Sequence, residues 1–143
     1  MSTITTHVLP AGFNWFGMNK HYVIEGILDL TSGAVTENND YTLITLPVNC
    51  LVLGCAVEIL TAAVGTTCTI DVGYGGNGSG TVDDFGADID GKGTAGTTTW
   101  TASATADGTF FSAADTIDVN FDVATSITAG PKLAVRAVIV DLS

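Results

Sequence analysis

Four aspartates, Asp83, Asp84, Asp88 and Asp90, run up to Gly91 and supply the hard oxygen ligands that calcium takes. An EF-hand loop read through Asp88, Asp90 and Gly91 would need its first Asp at Gly86 and its closing Glu at Thr97. Both positions fail, so the choice is between a calcium site in a β-loop of another kind and a solvated acidic loop, and the acidic loop is the simpler reading. Just upstream, Gly73, Gly75 and Gly78 satisfy the G-x-G-x-x-G spacing that cradles a pyrophosphate. That chemistry needs a helix to begin there and offer its amides. The residues that follow, Ser79 to Asp84, have no helical period and carry growing negative charge, so a turn is expected and no nucleotide.

Nucleophilic catalysis finds equally little. The only histidines are His7 and His21, and the only cysteines are Cys50, Cys55 and Cys68. These five residues are too dispersed for a zinc site, and no G-x-S-x-G elbow is present. The odd number of thiols, all in apolar strand-like text, reads as buried free cysteines acting as small hydrophobes. Aspartate is too abundant for any pair to mark glycoside chemistry. Trp15 and Trp100 have the shape of sugar platforms, but a place in a core is the ordinary fate of a tryptophan. No catalytic residue, cofactor or metal is expected, and the chain is read as a non-enzyme.

The elements that carry these residues are strands. From about residue 21 onward apolar and polar residues alternate in short runs broken by Gly, Asn, Asp, Ser and Thr. In the run 116–123, Ile117, Val119, Phe121 and Val123 fall on one face, while Thr116, Asp118, Asn120 and Asp122 fall on the other. A period of two marks a half-buried strand of an antiparallel sheet. Tyr22, Ile24, Leu28 and Leu30 make one such face, with a loop over 31–40. The segment 41–46 is a short strand stopped by Pro47. Leu51, Leu53, Cys55, Val57 and Ile59 are expected to line one face of the next strand. Cys68, Ile70, Val72 and Tyr74 line the strand after a turn near Gly65, so the two read as a hairpin. A long irregular loop is expected over 73–96, then weaker strands around Trp100 and around Phe110 and Phe111. The last strand, 132–142, has Leu133, Val135, Ala137 and Ile139 on its odd face. Its even face adds Val138, Val140 and Leu142, which predicts cover on both sides. About eight strands at even spacing predict an all-β antiparallel sandwich, jelly-roll-like.

The chain has 143 residues, enough for a single domain that buries about 68–70% of its unfolded surface. Hydrophobic residues make up 46% and mean hydropathy is +0.43, yet no apolar run reaches the length of a membrane span. The excess sits in strands, and part of it is expected to be covered by other chains. Net charge is −11, with Lys20, Lys92, Lys132 and Arg136 as the only strong cations. Four scattered cations cannot build the basic face that nucleic acid or an anionic membrane requires. The N-terminus shows neither the basic nor the apolar region of a secretory leader.

Residues 1–20 differ from the single domain at 21–143 and are expected to form an extended N-terminal arm. Phe13, Trp15, Phe16 and Met18 crowd it among Pro10, Gly12 and Gly17, and no period fits. Such an arm is expected to be tied down, either on its own sandwich or on a neighbouring subunit. Aromatic residues bury large area with few rotors, which makes these four the candidate interface residues.

Several stretches taken together resemble small structural proteins of tailed bacteriophages, specifically capsid decoration, or cement, proteins. They are Tyr22–Leu30 (YVIEGILDL), Leu51–Glu58 (LVLGCAVE), Thr69–Gly75 (TIDVGYG) with its Gly/Asp-rich continuation, Asp115–Phe121 (DTIDVNF) and Ala129–Asp141 (AGPKLAVRAVIVD). The resemblance implies a β-sandwich on the outer surface of the capsid, often a homotrimer, that clamps neighbouring subunits of the major capsid protein. It implies no catalytic residues. It also implies that Phe13, Trp15 and Phe16 reach a neighbour or the shell. The alternative is a head-fibre or tail-associated sandwich that binds a receptor or carbohydrate through the 73–96 loop.

Overall fold

The period-two runs form strands, and their apolar sides meet between two sheets. The computed structural model describes residues 3–8, 20–75, 83–102 and 108–143. Among them are ten strands and no helix: β1 (Thr3–Val8), β2 (Lys20–Asp29), β3 (Asp40–Leu46), β4 (Cys50–Thr61), β5 (Thr67–Tyr74), β6 (Gly86–Asp90), β7 (Thr98–Ala102), β8 (Thr109–Phe111), β9 (Asp115–Thr125) and β10 (Lys132–Asp141). Six make one sheet in the order β1-β2-β10-β4-β7, with β8 also pairing β4 beyond β7; four make the other, in the order β3-β9-β5-β6. Every pairing is antiparallel. The expected β-sandwich is what forms, with two more strands than the alternation showed.

The core lies between the sheets. Its largest fully buried side chains are Phe85 and Phe121, with Leu28, Ile44, Leu46, Ile59, Ile70, Ile117, Leu133 and Ile139 around them. Tyr41 meets Phe121 edge-on at 5.7 Å between ring centroids, and Tyr74 meets Phe111 edge-on at 5.0 Å. Both are favoured aromatic geometries. The loop after β2 is tied to β9, where the Asn38 amide donates to the Phe121 carbonyl and the Phe121 amide to the Asn39 carbonyl. Asn38 takes a left-handed backbone, φ 61°, which Asn tolerates better than most side chains.

Four expectations need correction. First, β4 and β5 are not a hairpin. β4 spends its edges on β10 and on β7 and β8, while β5 lies between β9 and β6. The turn at Gly65 therefore carries the chain from one sheet to the other, fastened where Val64 bridges Ala129 and where Lys92 Nζ donates to the carbonyls of Gly65 and Thr66. Second, β4 does not keep one face throughout. The register against β10 jumps between Val138, opposite Gly54, and Ile139, opposite Val52, which leaves Leu53 as an extra residue. This β-bulge switches the inward set from Cys50 and Val52 to Cys55, Val57 and Ile59, so Leu51 is only half-buried and Leu53 is exposed. Third, 73–96 is not irregular throughout, because Gly86–Asp90 pairs with β5 as a strand. Fourth, Trp100 is no core residue: it stands 53% exposed on β7. β7 is an edge strand, and its outer face has no second sheet above it.

Candidate protein interface

Residue types that could do chemistry are kept apart by the fold. Cys50, Cys55 and Cys68 point inward and are buried as free thiols. Burial pushes the Cys68 thiol up to about 11 and raises Cys55 further, so neither is a ready thiolate nucleophile at neutral pH. His21 is exposed, while Cys50 is buried within the sandwich. The acidic stretch is spent on structure: Asp84 accepts from the Thr109 hydroxyl at 2.7 Å, Asp90 accepts the Lys92 amide, and the Asp88 amide donates to Asp71. Among the described residues no group of three or more His, Cys, Asp or Glu is placed to hold a metal ion. Residues 76–82, with the end of the glycine motif, lie outside the described residues.

Phe13, Trp15, Phe16 and Met18 also lie outside the described residues. The elements that bracket them are placed. β1 pairs with β2 from Thr3 opposite Asp29 to Val8 opposite Ile24, so the front of the N-terminal segment is the edge strand of the chain's own sheet. β2 begins at Lys20, opposite Asp141 of β10. β1 therefore stops at Val8, four residues short of the end of the sheet where β2 and β4 start and β10 finishes.

The outer face at that end of the six-stranded sheet is apolar. On the outside of the six-stranded sheet, one row runs His21, Val140, Leu51 and Phe110 across β2, β10, β4 and β8. Val23 and Val138 pair in the next row, beside the bulged Leu53. Phe110 is 54% exposed and Leu53 39%, while Val23, Val138, Val140 and Leu51 are half-buried. Neither row holds an Asp, Glu, Lys or Arg. A belt of ions closes them off: Arg136 on β10 donates through Nε to Glu25 on β2 at 2.6 Å and through a terminal nitrogen to Glu58 on β4 at 2.7 Å. Trp100 stands at the end of that belt, in register with Ala56 and, through it, Arg136. Sequence reading expected cover over the even side of β10 from Val138 and Val140, but it did not bring Leu51, Leu53 and Phe110 onto the same face.

The other sheet turns an acidic face outward. Asp40, Asp71, Asp88, Asp118 and Asp122 stand on it, held in part by the Asn120 side chain donating to Asp40 and by Thr116 donating to Asp118. Asp71 is 8% exposed. Its pKa is raised, first by burial and then by the charges of Asp122, Asp88 and Asp83, against the lowering hydrogen bond from the Asp88 amide. A carboxyl whose folded pKa lies above its unfolded one weighs against the fold at neutral pH. That penalty is relieved as pH falls through the folded pKa toward the ordinary value of about 3.9. Asp71→Asn, which keeps an oxygen for the Asp88 amide, is therefore expected to raise stability at pH 7. The advantage should shrink steadily as the solution is acidified. Urea titrations at a series of pH values check this; a variant less stable at pH 7, or a gap indifferent to pH, would contradict it.

With the geometry in place, the comparisons become informative. No family model matches the chain, and no curated protein matches it. Solved structures do. The fold is found in phage capsids. A chain in the capsid of Ralstonia phage GP4 superposes with a TM-score of 0.66 at 18% identity, over 86% of this chain and 85% of that one. A chain in the capsid asymmetric unit of cyanophage Pam1 gives 0.66 at 20% identity, over 93% and 92%. A chain in the acidic stable capsid structure of Helicobacter pylori bacteriophage KHP30 gives 0.58 at 16% identity, over 100% and 95%. At these identities it is the fold that is shared, along nearly the full length of each partner.

Proposed function

We propose that this protein is a non-enzymatic structural component of a phage virion: a decoration, or cement, protein on the outer surface of the head. It binds the major capsid protein and stabilises contacts between neighbouring subunits, acting as a homotrimer. The observation that carries this reading is the near full-length likeness to chains in the capsids of three different phages. The surfaces fit such work, since one sheet presents an apolar field and the other a face of aspartates. Phe13, Trp15, Phe16 and Met18 supply part of the interface with a neighbour or with the shell. Many modest contacts repeated over a symmetric lattice give strong attachment without any single tight site. The fibre or tail alternative placed recognition in the 73–96 loop, and β6 takes up part of that loop.

Purified protein added to shells that lack it is expected to bind and to raise their melting temperature, since a ligand that binds only the assembled state stabilises that state by mass action. Calorimetry of the shells with and without the protein checks this. Absence of binding, or binding with no shift, would count against the proposal.

A further inference from the structure

We propose that the free edge of β1, Thr3–Val8, is a docking site for an extended segment of the major capsid protein, which adds to the six-stranded sheet as a further strand. The inference deepens the reading above by naming one backbone edge and the form of partner that fits it. It rests on that reading in taking the capsid protein as the partner.

An unpaired strand edge presents a row of backbone amides and carbonyls that another chain can pair with, so soluble proteins blunt their edges. Among the described residues the two sheets leave four edges open. Three of them are blunted. β6 is five residues long, carries Asp88 and Asp90, and slips register against β5. β3 bulges at Leu43, whose carbonyl already accepts the Thr6 hydroxyl. The edge beyond β4 is broken into β7, of five residues, and β8, of three. β1 has none of these devices. It runs six residues in unbroken register with β2, and its sequence Thr-Ile-Thr-Thr-His-Val holds no Asp, Glu, Lys, Arg or Pro. Threonine, isoleucine and valine all favour strands. Ile4 shares a face with Leu28, its partner on β2, yet Leu28 is fully buried while Ile4 is 45% exposed. The opposite sheet ends at β3, so Ile4 is left without full cover.

The occupant follows from symmetry. Two identical edges pair only about a twofold axis, whereas the copies of a homotrimer meet head to tail through two different surfaces. In such a ring β1 would have to pair with a neighbour's β3, β6 or β7–β8 edge, and each of those is blunted. A strand from a different protein meets neither obstacle. The segment that fits is extended and about six residues long, roughly 20 Å. It is free of acidic residues, because this chain itself carries −11, and apolar where it lies beside Ile4. Backbone pairing supplies its affinity, and alternate side chains supply the selection.

The test is amide hydrogen exchange of the full chain, free and on shells that lack it, read residue by residue. Alternate amides of β1 point away from β2. They are expected to exchange fast in the free protein and to slow about tenfold or more on shells, while the amides facing β2 stay slow in both. The companion variant is Ile4→Lys, which puts a charge on the inner side of an edge strand, a device by which natural edges refuse a partner. It is expected to weaken shell binding about tenfold or more, and Ile4→Val to leave binding unchanged. Slow exchange at the amides facing β2 in free Ile4→Lys shows that β1 keeps its place; if they open, Thr5→Lys, on the exposed outer side of the strand, replaces it. Shell binding with no added protection over 3–8, or full binding by the lysine variant, would overturn the inference and leave the cement reading standing. Protection that arises on concentrating the free protein would assign the edge to a second copy and overturn it too. No binding to shells at all would overturn the cement reading, and this inference with it.

Discussion

Phe121→Ala is expected to cost the fold about 3–5 kcal/mol, the range for emptying a buried aromatic site. Phe121 is fully buried at the centre of β9, the strand on which both β3 and β5 pair. Its ring is met edge-on by Tyr41, so truncation removes an aromatic contact as well as apolar area. Its backbone exchanges hydrogen bonds with Asn38 and Asn39, which fixes the loop ahead of β3. The surrounding strands are therefore held from both sides and cannot collapse into the space left behind. Urea unfolding followed by tryptophan fluorescence measures the loss. Since whole-domain stability is about 5–15 kcal/mol, the variant should have a much reduced midpoint or be unfolded outright. A loss below about 1 kcal/mol, the ordinary size of a point-mutant effect, would mean that the core is not centred where the structure places it.

Gly26→Val is the second large effect, by the opposite route. Gly26 lies on β2 with its missing side chain aimed at β3, where the two sheets close against each other. A Cβ there would stand 2.5 Å from Leu43 Cγ, 3.0 Å from Ile44 Cγ1 and 3.1 Å from the Leu43 carbonyl oxygen. None of these atoms is the loose end of a long side chain, so β3 itself would have to retreat. The Thr6 hydroxyl, which donates to the same Leu43 carbonyl, would lose its geometry with it. Overpacking of this kind costs about 1–3 kcal/mol and sometimes more, and two added methyl groups put valine at the upper end. Thermal melts of Gly26→Ala and Gly26→Val are expected to fall in that order below wild type. Equal melting of all three would show that the sheets do not approach closely at this edge.

Most strands of the fold were legible because each of them carries its own period, whereas β1 and β6 carry none that the sequence reading found. Ile117, Val119 and Phe121, or Leu133, Val135, Ala137 and Ile139, reveal one buried side with no help from the rest of the chain. Which strands neighbour one another was not legible. A turn such as that at Gly65 reads the same whether it returns a hairpin or crosses a sandwich, and only the pairing of β5 with β9 decides. The bulge at Leu53 was hidden for a related reason, since an unbroken run Leu51-Val52-Leu53 is apolar in either phase and the register is set by β10. Gly86–Asp90 looked like loop because its aspartates obscure a strand held by Ile89, Phe85 and the neighbouring β5. For the interface, sequence pointed to the aromatic stretch around Trp15, while the apolar outer face emerged only when Val140, Leu51 and Phe110 came from three distant segments into one row.

The central claim, a structural protein spread over a phage head, is tested most directly by imaging the intact particle that contains it and counting its copies. The account predicts density for this sandwich on the outside of the shell, repeated across the whole lattice with its apolar sheet turned toward neighbours. A dozen or fewer copies confined to one vertex or to the tail, or no density in the particle at all, would contradict it.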